Sequence, residues 1–312
     1  MKEVSAVSRC GFCSLPAVYG ELRDSRIAEV CAMKTSKLTL ASLLLIASAS
    51  LALAQGGTYA QIDVPGATYT ECLGINNAGD LAGEYGDING AHGFLLSQGT
   101  YTTINYPGSS VTGLTGINDV GQIVGFAGGG FLYDIATQTF TDVVYPGANL
   151  TAPYGINDAG TIVGYIQIGG IGSHGFELVG STYREIQPPG EGNSDSQVFG
   201  ISGAGEIIGV ASADFSLIRG KYQRIPIPLP KAGVAGINAS GAAMAGVYFP
   251  NFGSVASGFV LQGKTLTLLN FPGATDTFAS SINDVGVVTG TFYDGSATHG
   301  FTWTPPTDVA QK

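Results

Sequence analysis

The chain has 312 residues, 44% of them hydrophobic and 12% charged, with a formal net charge of −10. That hydrophobic content supports a packed core and excludes a disordered chain, and the acidic balance excludes nucleic acid and anionic membrane surfaces as partners, since both repel such a field. Glycine, at 48 residues, is about twice its usual share of roughly 7%; with abundant Tyr, Phe, Thr and Val it predicts strands joined by tight turns.

In chain order, the first segment is residues 1–32, which carry three of the four cysteines and show no clean period. They read as an upstream extension that is not native to the protein, so the Cys10 and Cys13 pair is not taken as a redox motif. Residues 33–54 have the design of a secretory signal peptide: Lys34 and Lys37, an apolar stretch over 38–51, then Ala52-Leu53-Ala54 before Gln55. The apolar stretch is short of the ~20 residues a spanning helix needs, so no stable membrane insertion is expected after cleavage. Export places the protein outside the cytoplasm: extracellular, at the cell surface or in the periplasm. Past residue 54 seven Lys and Arg face nineteen Asp and Glu, a net charge of −12, and Cys72 is the sole cysteine. A lone thiol makes no internal disulfide, so packing must hold the domain.

From residue 58 the chain repeats itself. "LGINNAGDLAGEY", "TGINDVGQIVGF", "YGINDAGTIVGY", "FGISGAGEIIGV", "AGINASGAAMAGVY" and "SSINDVGVVTGTF" place their first phrase residue at 74, 116, 155, 200, 236 and 281. The spacing near 40 lies in the range of propellers and arrays. Each phrase ends one strand, turns on Asn-Asp-x-Gly and begins a second strand. "HGF" at 92, 174 and 299, with "GGF" at 129 and "SGF" at 257, marks a third strand; the fourth unit lacks a clear match. An alternating run such as "YTTINYPG" gives a fourth strand and a Pro-Gly type II turn into the next unit.

Four strands per unit and six units predict an all-β, six-bladed β-propeller of four-stranded antiparallel blades over residues 55–306, with a short tail at 307–312. The orphan strand "TYAQIDVPGA" at 58 is expected to complete the last blade beside "HGFTW", which removes the open edges of a linear stack. The repeat "GINxxGxIVG…HGF" with "DxPGA" over roughly residues 58–303 resembles the bacterial extracellular HAF-type repeat family. The resemblance implies secretion and repeat architecture and leaves the chemistry open.

The candidate sites follow from what the repeat holds constant and what it varies. His92, His174 and His299 fall in one repeat slot on separate blades, which fits a structural hydrogen bond better than convergence on a metal. Asp119, Asp158 and Asp284 recur in the turns and read as turn formers. Asp87, Asn89 and Gly90 faintly resemble a calcium loop but lack its later ligands, so no cofactor is expected. Second-to-third-strand segments vary most and hold Glu84, Tyr85, Asp87, Tyr165, Tyr248, Phe249, Phe252, Tyr293 and Asp294. Aromatic faces beside polar groups suit a sugar or a peptide. The function expected is a secreted binding or scaffold module for an extracellular glycan, peptide or envelope component. The alternatives are a secreted glycoside hydrolase or polysaccharide lyase using acids on the variable face, and a purely structural envelope protein.

Overall fold

The computed structural model describes residues 52–53, 56–169, 172–190, 195–250 and 255–306, within a unit spanning Ser50–Lys312. The upstream extension, nearly all of the signal segment, the tail at 307–312 and Phe252 lie outside the described residues. The described residues are all β, in six four-stranded antiparallel sheets arranged as the blades of a propeller. No described helix is long and apolar enough to cross a membrane.

Blade one runs Tyr69–Ile75, Leu81–Asp87, Gly90–Ser97 and Thr100–Ile104 from the inside outward. The inner strands of blades two to five are Gly113–Ile117, Leu150–Ile156, Gln197–Ile201 and Ala232–Ile237. Blade six consists of Asp276–Ile282, Val288–Tyr293 and Thr298–Thr304, with Thr58–Ile62 as its outer strand in antiparallel register, Thr58 opposite Thr304 and Ile62 opposite Gly300. The two residues Ala52–Leu53 lie parallel to the outer strand Thr265–Leu269 of blade five.

Two glycine rules explain why the phrase recurs. The second-strand glycine of every blade faces the third-strand phenylalanine across the ladder: Gly83 and Phe94, Gly125 and Phe131, Gly164 and Phe176, Gly209 and Phe215, Gly246 and Phe259, Gly290 and Phe301. All six rings are buried. A Cβ at these glycines would lie 1.9–2.3 Å from an inner-strand carbonyl oxygen. Phe215 is the fourth unit's missing third-strand mark; there Asp214 replaces the glycine, and its carboxylate accepts the backbone N–H of Val234 in blade five at 3.0 Å. The phrase's first glycine serves a different contact. A Cβ at Gly74 or Gly155 would stand 3.2 or 3.1 Å from the Cα of Gly116 or Gly200, because neighbouring inner strands meet there. At this point all six inner strands carry a β-bulge, between Cys72 and Gly74 in blade one and between Pro153 and Gly155 in blade three. The Pro-Gly links turn as expected, with positive φ at Gly66, Gly108, Gly147 and Gly273 and an i→i+3 bond such as Ala67 N–H to Val64 O at 3.1 Å.

The Asn-Asp turns do more than turn the chain. Asn157 Oδ1 accepts the Thr161 N–H at 3.0 Å, closing its own hairpin, while its Nδ2 donates to the Ser202 carbonyl of the next blade at 3.2 Å. Asn118 reaches Asn157 O in the same way at 3.0 Å, Asn76 reaches Asn118 O at 3.4 Å, and Asn283 reaches Asn76 O at 3.1 Å. A second row lies outside the first. Asn77 N–H donates to Asp119, Asp119 N–H to Asp158, Ser240 N–H to Asp284, and Asp284 N–H to Asn77 Oδ1, all at 2.7–2.8 Å. Between blades four and five Gly203 N–H donates to Ala239 O at 2.8 Å. Every blade interface is therefore bridged at this end of the ring, and Asp119, Asp158 and Asp284 bind neighbouring blades as well as forming turns.

Asn157→Ala removes the acceptor of the Thr161 N–H and the amide donor that joins Ser202 O to blade three, while Ser202 O keeps the Gly205 N–H. The expected loss is about 1–3 kcal/mol, since one part-buried N–H is left without its acceptor and one inter-blade hydrogen bond is lost. Denaturant unfolding measures it; a midpoint equal to wild type contradicts the clasp.

Candidate functional site

The two ends of the ring differ. One carries the Asn-Asp turns, whose polar groups are spent on neighbouring blades. The other carries the second-to-third and outer-to-inner connections, where the sequence varies.

The residues expected on that variable end separate into three environments. Glu84 and Tyr165 lie within second strands and are buried, 2% and 1% exposed. They are strand residues and leave the exposed-loop group, because the second strands run further than the repeat suggests, to Asp87 and Ile168. Tyr85 and Tyr248 are half-buried at matching positions, opposite Thr70 and Ala232 of their inner strands. Tyr85 packs on the His92 ring at 5.2 Å and its hydroxyl meets Thr103 Oγ1 at 3.0 Å. Phe249 rests against Phe278 at 6.3 Å. Tyr293 ends its strand and donates to Gly295 O at 2.9 Å, while Asp294 accepts from the N–H groups of Ser296 and Ala297. Those backbone bonds hold the Asp294 carboxyl well below its usual range. The four tyrosines thus occupy three register positions and do not form one continuous platform.

The loop at 87–90 is a hairpin closed by its own polar groups. Asp87 accepts the Asn89 N–H at 2.6 Å and meets His92 Nε2 at 3.1 Å. His174 contacts Glu185, and His299 contacts Asp63 at 2.9 Å with Asp294 at 3.5 Å. Each histidine of the repeat slot is engaged by carboxylate within its own blade. Among the described residues no group of three His, Cys, Asp or Glu is placed to hold a metal ion.

A cluster outside the loops lies deeper, where blade one packs against blade two. Glu71 of the blade-one inner strand stands directly opposite Glu84. Glu84 Oε1 accepts the Tyr69 hydroxyl at 2.9 Å, and Glu84 Oε2 is buried with no hydrogen-bond partner. That oxygen faces Gly113 of blade two, where a Cβ would stand 2.7 Å from it. From blade three comes Tyr154, the bulged residue of its strand, stacked on Tyr165 at 5.6 Å and edge-on to Phe199 at 5.5 Å.

Burial, and then the charge of Glu84, push the Glu71 carboxyl well above its ordinary value. Burial also raises Glu84, with the Tyr69 hydrogen bond opposing the rise. Tyr154 is raised by burial and Tyr165, then by Glu84 and Glu71. Burial lifts Tyr165 to about 12. The aligned repeats hold the signal for this cluster: Glu71 stands where the other units have Gly113, Ala152, Gln197, Gly233 and Phe278.

A raised carboxyl keeps its proton in the folded state while the unfolded chain loses it above about pH 4.5. Its contribution is fully present below that pH and declines as pH rises toward the folded value, by about 1.4 kcal/mol per unit of separation. Glu84→Gln keeps an acceptor for Tyr69 and cannot ionise. The variant is expected to match wild type near pH 4 and to melt higher near pH 8. Parallel melting curves across that interval contradict the assignment.

No protein-family model matches the chain, and no curated protein matches it. Solved structures share its fold. TolB from Acinetobacter baumannii superposes with a TM-score of 0.52 at 13% identity, over 72% of this chain and 66% of that one, so the chain spans just under two thirds of its length. A candidate TolB from Agrobacterium tumefaciens gives 0.51 at 13% identity, over 64% and 75%. A gluconolactonase from Xanthomonas campestris gives 0.48 at 15% identity, over 77% and 87%. At 13% identity the likeness to the two TolB structures is one of fold alone: the chain is a β-propeller.

Proposed function

We propose that the protein is a secreted binding or scaffold module, related to the HAF-type repeats, that takes an extracellular glycan, peptide or envelope component at the variable end of its ring. The asymmetry of the two ends carries this reading. At one end the repeated side chains are occupied in joining blades, as in Asn157 to Ser202 O and Asn77 to Asp119. At the other, equivalent positions differ from blade to blade, which recognition requires and a scaffold does not.

A glycan and peptide array on the purified protein tests it. Tyr248→Ala and Tyr293→Ala are expected to weaken any ligand found about tenfold or more by loss of stacking and apolar burial. Asp119→Ala and Asp158→Ala are expected to lower stability with affinity unchanged. Binding lost only in the turn variants assigns the ligand to the opposite end. Intact mass of the exported protein tests secretion, with a start at Gln55 expected.

One observation favours a second reading, a glycoside hydrolase or polysaccharide lyase. The opposed Glu71 and Glu84 carboxyls hold raised pKa values, as a general acid requires. Release of reducing or unsaturated sugar ends that Glu84→Gln abolishes would establish it.

A further inference from the structure

The outer strands of the blades are the sheet edges that the ring leaves facing outward, and blade five's differs from the rest. Opposite the third-strand phenylalanine the outer strands carry Thr103, Asp142, Glu185, Arg224 and Gln61, all polar. Blade five carries Leu268 there, opposite Phe259. Its outer strand, Thr265–Leu269, reads TLTLL and holds no charged residue. Charged side chains on an edge keep it from templating a new strand, and this edge lacks them. Thr267 and Leu268 are nevertheless half-buried, whereas the residues at both positions are exposed in the other five blades. A strand of this chain lies beside them. Ala52 stands opposite Thr267 and Leu53 opposite Leu268, in parallel, although the blade's own ladders are antiparallel.

The register shows which groups the edge offers. The two-residue turn Gly263-Lys264 makes Gln262 and Thr265 a hydrogen-bonded pair, and the alternation of an antiparallel ladder then turns the N–H and C=O of Leu266 and Leu268 outward. A parallel partner bonds to residues on either side of the one it faces. Ala52, facing Thr267, is placed between those two outward residues as that pattern requires.

We propose that the outer edge of blade five is a strand-addition site for an extended, uncharged peptide of small and aliphatic residues, occupied by Ala52–Leu53 in the precursor and freed when the chain is cleaved after Ala54. Main-chain bonds to Leu266 and Leu268 supply affinity, and the uncharged edge sets the preference for the peptide's side chains. The own segment wins in the precursor because residues 54–57 tether it to Thr58, the first residue of blade six's outer strand. A short tether gives an effective concentration on the order of millimolar. The site lies on the circumference of the ring, apart from its variable end. The inference rests on cleavage before Gln55 and on no ligand at the variable end.

Fluorescence polarisation with a labelled peptide of residues 50–55, blocked at both ends, tests it on the full chain and on the exported protein, whose intact mass gives its first residue. The exported protein is expected to begin at Gln55 and to bind, and the full chain to bind at least tenfold more weakly. Leu268→Pro removes an outward N–H and no bond within the blade, so it is expected to weaken binding at least tenfold with the melting curve of a folded protein. Two altered peptides make the test independent of any variant's folding. One carries Ala52→Pro and Ala54→Pro and lacks the donors of alternate positions; the other carries Leu51→Glu and Leu53→Glu. Each is expected to bind at least tenfold more weakly. Equal binding of either altered peptide, equal binding by the full chain, no binding at about 1 mM peptide, or an exported protein that keeps Ala52–Leu53 overturns the proposal. If the peptide fails on a protein that begins at Gln55 while the array yields a ligand, strand addition falls and the binding-module reading stands.

Discussion

Gly164→Ala is expected to lose about 3 kcal/mol or more and to lower Tm by roughly 6–12 °C in a domain of this size. The new methyl group would sit 2.0 Å from the Ala152 carbonyl oxygen and 2.8 Å from the Pro153 Cα, both backbone atoms in a buried inner strand. Neither can move without disturbing the ladder that sets the distance between the first two strands of blade three. The Phe176 ring, paired across from Gly164, would also lose the flat surface it covers. Gly160 is the control. It has φ of +76° in the hairpin turn and only Gln122 Oε1, at 3.9 Å, near the place of a Cβ. Gly160→Ala therefore carries the conformational penalty alone, about 1 kcal/mol. Thermal melts of the two variants decide the matter. Equal shifts would mean that the strand glycine serves backbone freedom rather than close approach.

Deleting residues 58–64 is expected to produce the other large effect, a severe loss of stability with aggregation. The deletion removes the five-residue partner of Thr298–Thr304 and uncovers a strand carrying the buried Phe301 and Trp303. Tyr59 leaves with it, and so do its edge contact with Phe271 at 5.5 Å and the bond from Asn270 N–H to its hydroxyl at 2.9 Å, which tie blade six to blade five. Asp63 also leaves His299. An unpaired apolar edge then templates association with other copies. Size-exclusion chromatography and a thermal melt measure the outcome. A deletion variant that stays monomeric and melts like wild type would show that the N-terminal strand is dispensable to the ring.

The architecture was legible because a propeller writes its geometry locally. The Asn-x-x-Gly turn, the Pro-Gly turn and the alternating outer strand each announce themselves within a few residues, and their period near 40 counts the blades. The clasp was not legible. Asn157 and Ser202 are 45 residues apart, and nothing in a turn sequence says that its amide will reach another turn. The fourth unit hid its third strand because Asp214 replaced the expected glycine, although Phe215 still packs in the ring's common position.

The site was read less well, for a reason of parity. In a strand one residue's shift turns a side chain to the other face. Tyr165 and Tyr85 look alike in the repeats, yet Tyr165 aligns with Glu84, opposite Ala152, while Tyr85 aligns with Ile166, opposite Thr151. Loop variation drew attention to the rim. The buried cluster instead depends on Glu71, an acid inside an inner strand whose five counterparts are all uncharged.

Native-state hydrogen exchange tests the central claim, that six blades are closed into a ring by their turns, most directly. The informative amides are those donating to the phrase Asn or Ser side chain: Asp80, Gln122, Thr161, Glu206, Ala243 and Val287. A closed ring has no ends, so all six are expected to exchange slowly and within about tenfold of one another, near the rate set by global unfolding. Fast exchange at Asp80 and Val287 with slow exchange at Thr161 and Glu206 would describe an open array fraying from both ends, and would contradict the ring.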